Sequence, residues 1–505
     1  MPRAALRATA ALLAAVACGL AAAPASADAG WFESGDVVLR NDLLVLNDAG
    51  IIRLPVTEWP MPRAAVRYAL AQAKEHFATN AAVQTALARV RARVDAGAPG
   101  RRSGVAFDSS LSAGEPGLLR DFDTAGRETG ELSGKVAWSA GERAEFSLNA
   151  ALVANPDDGD EFRLDGSHAS VALGNWLLSA NMLDRWWGPG HESSLILSNN
   201  ARPMPTLLVE RAAPMPFETK WLSWIGPWRF SFGLSQMEQE REDVDAPLFM
   251  AWRIVIMPLK DIELGFSRTA QFCGEELPCS LETFWDLLVG NDNLGHDATP
   301  ETEPGNQMAG FDIRWSSPIG NWPYAIYSQM IGEDESSYTP AKYLAQYGIE
   351  AWKPMTGGAL LQVFAEYSTT TCSASTSRGP YYNCAYNQGL FDVEGYRYKG
   401  RVVGYTADRD AENYALGGTL TTADGELWSV TARTSRLNRD DYGDVRNTVA
   451  ANPTDYNALE LGWQGKLFGG HVNVDLGVES LQPVAGGERD VQPFGFVRWS
   501  HAFAP

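Results

Sequence analysis

The sequence predicts an all-β transmembrane barrel of antiparallel strands, preceded by a small N-terminal helical segment. Three observations lead to this fold class. The first residues resemble an export signal, and no apolar stretch behind them reaches the roughly 18 residues that a spanning helix requires. The hydrophobic period also changes from that of helices to that of strands after Gly104. If the protein lies in a membrane, strands must therefore hold it there.

The first 27 residues have the composition of a cleavable signal peptide. Two arginines precede a run of small and apolar residues, and an Ala-Ser-Ala triplet ends at Ala27. Cys18 leaves a lipoprotein as the alternative, but Ala15 stands where a lipid-attachment box normally has a bulky aliphatic residue. We therefore expect cleavage after Ala27, a helical segment over residues 28–103 and a barrel over residues 104–505.

The chain is acidic, with a formal net charge of −21. Without the two arginines of the signal peptide, 39 basic residues face 62 acidic ones, a net charge of −23. Nucleic-acid binding normally needs a basic patch, so a nucleic-acid partner is not expected. The length would suit about three soluble domains, but no linkers divide the chain.

Four cysteines follow the signal peptide, in two close pairs. Cys273 lies near Cys279, and Cys372 lies near Cys384. In an exported chain this spacing predicts two local disulfides. A zinc site is the alternative, but the pairs are far apart in sequence and no Cys-x-x-Cys spacing occurs, so disulfides are favoured.

Three short amphipathic helices are predicted between residues 36 and 99. Asp36 can cap the first helix, which ends at Gly50. Pro55 and Pro60 then exclude a continuous helix. The apolar positions that share one face are Leu39, Leu43 and Leu46 in the first helix, Val66, Leu70, Ala73 and Phe77 in the second, and Val83, Leu87, Val90 and Val94 in the third. A small packed bundle is favoured over a plug or a cell-wall-binding module.

After Gly104, apolar and polar residues alternate as in strands with one apolar face. Soluble antiparallel sheets alternate too. However, 17 Trp and 16 Tyr can supply aromatic girdles, and Asp475 and Glu479 on a polar face suit a lumen. The apolar faces comprise Val472, Val474, Leu476 and Val478; Trp228, Phe230, Phe232 and Leu234; Leu459, Leu461 and Trp463; and Trp428, Val430 and Ala432.

The end of the chain resembles the C-terminal assembly signal of outer-membrane barrels. Val497, Trp499, His501 and Phe503 would share one face of a last strand. At roughly 10 residues per strand plus turns, the approximately 400 residues from Gly104 onwards predict on the order of 16 to 20 strands.

Residues 184–205, DRWWGPGHESSLILSNNARPMP, depart from simple alternation. This segment resembles the central signature of the Wzi family of capsule-assembly proteins, outer-membrane barrels that bind capsular polysaccharide as surface lectins. Further similar positions are Leu39-Arg40-Asn41-Asp42-Leu43, Asp48-Ala49-Gly50, Trp59-Pro60, Gly174-Asn175-Trp176, Ser267-Arg268-Thr269-Ala270-Gln271, Phe284-Trp285-Asp286, Asn383-Cys384-Ala385-Tyr386 and Gly395-Tyr396-Arg397-Tyr398. The resemblance implies about 18 strands, a helical bundle on the periplasmic side, and a role in attaching or organising capsule without a reaction, cofactor or metal.

The signature segment contains the first candidate polysaccharide-binding residues. Trp186 and Trp187 offer flat faces for sugar rings, and Asp184, Arg185 and Arg202 can hydrogen-bond to hydroxyls or carboxylates. A structural interpretation is favoured: the Gly-Pro-Gly sequence after Trp187 forms a tight turn, and the charged residues pair inside the lumen to hold a plug.

A second candidate site is an extracellular loop between Cys372 and Cys384, with Arg378, Tyr381 and Tyr382 as binding residues. A disulfide would stiffen this loop and lower the entropy lost on binding. Protection of an exposed loop against proteolysis explains the disulfide equally well.

Catalytic and metal motifs are not evident in the sequence. Acidic pairs at residues 157–158, 160–161 and 440–441 could suggest calcium ligands or glycosidase carboxylates, but solvated turns are favoured. There is no two-histidine helical spacing, Gly-x-Ser-x-Gly elbow or phosphate loop. We therefore predict a non-enzymatic lectin with capsular polysaccharide or exopolysaccharide and outer-membrane lipid as partners. The alternatives are a carbohydrate-selective porin with an N-terminal cell-wall-binding segment and an outer-membrane enzyme acting on polysaccharide.

Overall fold

The computed structural model describes residues 28–96, 105–123, 126–274, 277–289, 305–317, 322–336, 339–372, 380–387, 394–440 and 446–503. Within these ranges, eighteen antiparallel strands form one closed barrel, which confirms the predicted fold class. They are β1 Val105–Glu115, β2 Gly130–Ala140, β3 Ala144–Ala154, β4 in two pieces, Phe162–Arg163 and His168–Leu173, β5 Trp176–Asn181, β6 Thr206–Arg211, β7 Trp228–Gln236, β8 Leu248–Leu259, β9 Ile262–Phe272, β10 Gly305–Ser317, β11 Tyr324–Ser336, β12 Thr339–Pro354, β13 Leu360–Thr369, β14 Glu412–Thr421, β15 Leu427–Leu437, β16 Thr454–Leu467, β17 Gly470–Pro483 and β18 Asp490–Phe503. Both pieces of β4 pair with β3.

The last strand closes the barrel against the first. β18 pairs with β1 from Gly495 opposite Glu115 to Phe503 opposite Phe107. Closure pairs the sheet edges, as hydrocarbon requires of a membrane protein built from strands. Val497 and Phe503 are exposed on the outer face of β18, as the predicted apolar face requires.

Side chains alternate between an apolar outer face and a polar lumen. On β17, Leu476 is 54% exposed on the outside, whereas Asp475 and Glu479 are each only 5% exposed inside. Trp428 and Val430 are likewise exposed on the outside of β15. The predicted alternation is confirmed, and its outer face forms an apolar belt of the kind that contacts lipid.

The described helices are α1 Val37–Asp48, α2 Arg63–Ala71, α3 Ala81–Ala96 and α4 Leu281–Val289. The Asp36 carboxylate caps α1 by accepting the backbone N–H of Leu39 at 3.0 Å, as predicted. In the described part of the chain, no helix has both the length and the apolar character needed to cross a membrane.

The prediction for the second helix was wrong at its C-terminal end. α2 stops at Ala71, a 3-10 turn follows at Glu75–Phe77, and the Phe77 side chain is exposed. The backbone N–H of Lys74 donates to the carbonyl of Ile51 at 2.8 Å. This tertiary hydrogen bond redirects the backbone after Ala71, so the helix ends although the apolar spacing in the sequence continues to Phe77.

Helices α1 to α3 pack at one end of the barrel, which we call the short-turn end. Most strand connections there are short, at residues 141–143, 174–175, 260–261, 355–359, 422–426 and 468–469. Arg89 of α3 donates to the carbonyl of Thr422 at 3.0 Å, and Asn41 of α1 donates to the Thr419 hydroxyl at 3.0 Å. The opposite end, the long-loop end, carries the connections at residues 116–129, 182–205, 370–411 and 438–453.

The hydrophobic core lies inside the barrel. One cluster joins the buried faces of α1 to α3 to Trp59, Phe122 and Trp186. A second cluster contains Leu195, Ile196 and residues of the 370–411 connection. The core therefore consists of segments folded into the lumen.

Candidate functional site

The 182–205 connection, which we call the plug loop, folds back into the lumen between β5 and β6. Trp186 pairs in a two-residue antiparallel ladder with Trp59, and Trp187 pairs with Glu58. Arg40 of α1 donates to the carbonyls of Pro189 and Gly190 at 3.0 and 2.5 Å. The loop thus leaves the long-loop end and reaches the helices of the short-turn end.

The two glycines of the turn allow close contact with the barrel wall. A Cβ atom on Gly188 would lie 2.8 Å from Nε2 of Gln329, and one on Gly190 would lie 2.5 Å from Oε1 of Gln346. The backbone N–H of Trp187 donates to the carbonyl of Leu197 at 2.9 Å, which pairs the two arms of the loop. The residue types in this turn follow from the space available to it.

The two tryptophans of the signature lie inside this packing. Trp186 and Trp187 are 0% and 2% exposed. The Trp186 ring stands edge-on to Phe122, with 5.2 Å between the ring centroids. Neither indole presents a face to solvent, so the sugar stacking considered for them is not available in this conformation.

The charged residues of the signature are engaged by protein groups. Asp184 accepts a hydrogen bond from Arg127 at 2.7 Å. Arg185 donates to the Asn181 amide oxygen at 2.7 Å, and burial lowers its pKa to about 10. These contacts agree with the structural interpretation, in which charges pair within the lumen.

Arg202 holds three carboxylates at the base of the plug loop. It lies 2.6 Å from Asp158, 2.8 Å from Asp160 and 2.9 Å from Asp165. Burial alone would lower the pKa of Arg202, but its hydrogen bonds and charge interactions with Asp165 and Asp158 outweigh this effect and raise it. The acidic cluster at residues 157–161 therefore has an arginine as its partner. Among the described residues, no three His, Cys, Asp or Glu side chains are placed to hold a metal ion.

A buried ionic network holds the return arm of the plug loop. Arg433 on β15 contacts Glu192 at 2.6 Å and Asp121 at 3.0 Å, and also pairs with Glu460. His191 contacts Glu350 at 2.6 Å. Removing one member of such a network would leave a buried charge unpaired, which costs several kcal/mol.

The 370–411 connection covers the plug loop from the long-loop end. The hydroxyls of Tyr386 and Tyr396 donate to the carbonyls of Leu195 and Ile196 at 2.8 and 2.7 Å. Within the same connection, Arg397 and Asp408 form a fully buried ion pair at 2.5 Å. The described residues of this connection, which we call the covering segment, pack against the plug loop on the side of the long-loop end.

Both predicted disulfides are confirmed. Cys372 is bonded to Cys384 with 6.0 Å between their Cα atoms, and Cys273 is bonded to Cys279 with a separation of 4.7 Å. Cys273 packs against Leu287 of α4, so its disulfide joins β9 to the following helix. The Cys372–Cys384 disulfide ties the start of the covering segment, shortly after β13, to a later point in the same segment.

The tyrosines of this disulfide loop are accessible. Tyr381 is 44% exposed and Tyr382 is half-buried. The Lys342 ammonium lies 5.6 Å from the ring centre of Tyr381, and the Arg439 guanidinium lies 5.7 Å from that of Tyr382. Arg378, the third residue predicted for this loop, lies outside the described residues.

Sequence reasoning missed Lys342 and Arg439. Each lies tens of positions from the tyrosine that it contacts: Lys342 is on β12, and Arg439 is on the 438–453 connection. No local pattern marks either residue. Arg439 also pairs with Glu412 at 2.8 Å, which fixes it beside the tyrosine loop. The exposed aromatic rings with adjacent cations make up a polar and aromatic surface suited to sugars bearing carboxylates.

Comparisons with known proteins identify the family of the chain. The family model of the capsule assembly protein Wzi matches residues 101–486 of the 505-residue chain. An uncharacterised 55.8 kDa protein in the cps region of Klebsiella pneumoniae is 35% identical over 315 residues, which is 62% of this chain and 60% of that relative. The match thus spans less than two thirds of the relative's length.

A solved structure extends the comparison to nearly the whole chain. It is that of Wzi from Escherichia coli, described as an outer-membrane protein involved in group 1 capsule assembly and as a carbohydrate-binding β-barrel. The two chains are 27% identical with a TM-score of 0.79, over 94% of this chain and 100% of that chain.

Proposed function

Because the chain belongs to the family of the capsule assembly protein Wzi, we propose that it binds capsular polysaccharide or exopolysaccharide at the outer membrane without catalysis. It thereby helps to attach or assemble this polysaccharide on the cell surface. The observation that carries the proposal is the likeness to the carbohydrate-binding barrel of Escherichia coli over 94% of this chain. An acidic chain with no predicted basic patch makes nucleic acid an unsuitable partner.

The proposed orientation places the short-turn end in the periplasm and the long-loop end outside the cell. Outer-membrane barrels generally have short periplasmic turns and longer extracellular loops. Helices α1 to α3 then form a periplasmic segment, and the apolar belt contacts outer-membrane lipid. We also propose that export depends on a signal peptide over residues 1–27, which precede the described residues.

The proposed polysaccharide-binding surface centres on the Cys372–Cys384 loop. Tyr381 and Tyr382 supply ring faces, Lys342 and Arg439 supply cations, and Arg378 remains a predicted contributor. The disulfide lowers the entropy that the loop loses on binding. The signature residues Asp184, Arg185, Trp186, Trp187 and Arg202 hold the plug loop, and through it they support the surface above.

The filled lumen disfavours the porin alternative. Eighteen strands enclose a lumen wide enough for an aqueous channel, but here described residues of the plug loop, of the 370–411 connection and of the helices pack into buried clusters inside the barrel. Ion conductance of the purified barrel in planar bilayers tests this point. Steady porin-like conductance of the wild type would favour the porin.

The central experiment measures binding of the purified, detergent-folded barrel to the organism's own surface polysaccharide. Tyr381→Ala and Tyr382→Ala should each weaken saturable binding by about 5-fold to 30-fold, since stacked rings with nearby cations typically contribute about 1–2 kcal/mol. Tyr347→Ala is the matched control, because Tyr347 is 47% exposed on the outer face of the barrel.

The outcomes separate the hypotheses. Weakened binding with the loop variants and unchanged binding with Tyr347→Ala would support the proposed surface. Equal binding by all variants would move the polysaccharide site away from this loop. The absence of any saturable binding by the wild type would reject the lectin proposal.

A further inference from the structure

A polar cavity opens at the short-turn end of the barrel. Its volume is about 890 Å³, within the range of roughly 300–1,000 Å³ typical of ligand sites. It lies between the N-terminal residues 31–36 and the lumen-facing sides of β1 to β3 and β16 to β18. We call it the vestibule. None of the described residues that line the vestibule belongs to the plug loop.

The vestibule wall is rich in uncharged hydrogen-bonding side chains. Hydroxyls and amides both donate and accept, which suits the hydroxyl groups of sugars. Ser147 is 1% exposed, and its hydroxyl has no hydrogen-bond partner among the described residues. The polar residues that form this wall are Ser110, Ser133, Ser147, Asn149, Gln464 and Ser500.

The charges of the vestibule are unevenly satisfied. Lys135 pairs with Glu33, and Arg93 pairs with Asp36. Lys466 instead makes no ion pair within the described ranges. It lies opposite His471 in the β16–β17 ladder, and both side chains are exposed at the vestibule. This corner offers a cation and an imidazole to an incoming carboxylate.

The inner end of the vestibule is occupied by the 116–123 segment. Gln464, on the vestibule wall, donates to Asp123 at 2.6 Å, and Asn473 donates to the same carboxylate at 3.2 Å. Phe496, on the neighbouring strand, is 2% exposed. A ligand that enters from the short-turn end therefore meets packed protein, so the vestibule is suited to binding rather than to passage.

We propose that the vestibule is a second glycan site, which binds a short saccharide bearing carboxylates from the periplasmic side. The choice of a glycan rests on the proposed function, whereas the carboxylate preference rests on Lys466 and His471. The same chemistry would also accept a peptidoglycan fragment, because that too combines sugars with carboxylates.

The test uses the purified full-length mature barrel and isothermal titration with trigalacturonate as the probe. Maltotriose, a neutral sugar of equal length, and a purified disaccharide muropeptide are titrated in parallel. Lys466→Glu should weaken trigalacturonate binding by about 10-fold to 100-fold, the effect of losing one hydrogen bond to a charged group. Lys260→Glu is the matched control, because Lys260 is an exposed lysine in another turn at the short-turn end.

A thiol probe establishes from which side the vestibule is reached. The four cysteines after the signal peptide are paired in disulfides, so Lys466→Cys introduces a single free thiol. A membrane-impermeant maleimide should label it only after the outer membrane of the cells is permeabilised. Lys466→Cys also lacks the cation, so trigalacturonate should slow labelling of the purified variant only at concentrations high enough to occupy the weakened site.

Three results would overturn the vestibule proposal. These are trigalacturonate binding no tighter than that of maltotriose, equal loss of binding in Lys466→Glu and Lys260→Glu, and labelling of Lys466→Cys in intact cells. Tighter binding of the muropeptide would keep the site but assign it to peptidoglycan. Tyr381→Ala should leave trigalacturonate binding at the vestibule unchanged, so failure of the surface-loop proposal can be distinguished from failure of this one.

Discussion

Replacement of Trp186 by alanine separates a structural role of the signature from a direct role in sugar binding. The Trp186 side chain is fully buried, between the helical segment and the lumen wall. Its indole N–H has no hydrogen-bond partner among the described residues, so truncation removes mainly packing. Truncation of a buried tryptophan costs about 3–5 kcal/mol, including its edge-on contact with Phe122.

This loss should appear as local opening of the plug loop. Hydrogen–deuterium exchange of the backbone amides in residues 182–205 should accelerate by about 10²-fold to 10⁴-fold in Trp186→Ala, because the free energy of local unfolding falls by the packing loss. The affinity for polysaccharide at the long-loop end should fall by a much smaller factor than the factor by which the exchange rate rises. Single-channel recordings should show openings that the wild type lacks.

Trp428→Ala provides the control for this measurement. It removes the same side chain from the outer face of β15, where Trp428 is 53% exposed, and should leave exchange in the plug loop unchanged. Our reasoning would be refuted if Trp186→Ala abolished polysaccharide binding while exchange and conductance stayed at wild-type values. Trp186 would then contact the sugar directly.

Three further predictions concern the charges and the disulfide. Arg433→Met should lower the free energy of unfolding by about 3–5 kcal/mol in urea titrations, because it leaves three carboxylates facing one another; an unchanged midpoint would contradict this. Replacing Cys372 and Cys384 by serine should cost about 2–4 kcal/mol of loop stability, measured by proteolysis, and should weaken polysaccharide binding, measured by titration. Resistance to proteolysis equal to that of the wild type would show that other contacts hold the loop. Burial raises the pKa of Asp42 to about 6 despite its ion pair with Arg89, so this carboxyl destabilises the helical segment above pH 6 and the penalty disappears as pH falls from 6 towards 4. Asp42→Asn should reduce this part of the pH dependence in chemical denaturation, and an unaltered pH profile would show that Asp42 does not cause it.

Features governed by neighbouring residues were predictable from the sequence. The alternation around Asp475 determined which face of β17 lies in the lumen, because successive strand residues point to opposite faces. The cap by Asp36 also depends on residues only three positions apart. Close spacing likewise indicated both disulfides, including Cys273–Cys279.

Features that depend on distant contacts were not predictable in the same way. The end of α2 is determined by a hydrogen bond from Lys74 to Ile51, which no periodicity indicates. The burial of Trp186 depends on where the plug loop folds back. The cations beside Tyr381 and Tyr382 come from β12 and from the 438–453 connection. The residue types of the candidate site were therefore identifiable, whereas their accessibility required the three-dimensional structure.

The width of the barrel explains why residues 184–205 differ from ordinary strand sequence. In eight-stranded barrels side chains can fill the interior, but eighteen strands enclose far more space. An eighteen-stranded barrel with a filled lumen therefore needs inserted chain, and inserted chain brings backbone polar groups that must be satisfied away from bulk water. Arg40 meets this need for the carbonyls of the turn, and glycines allow that turn to approach Gln329 and Gln346. The signature is accounted for by these packing and hydrogen-bonding demands, without a contact to polysaccharide.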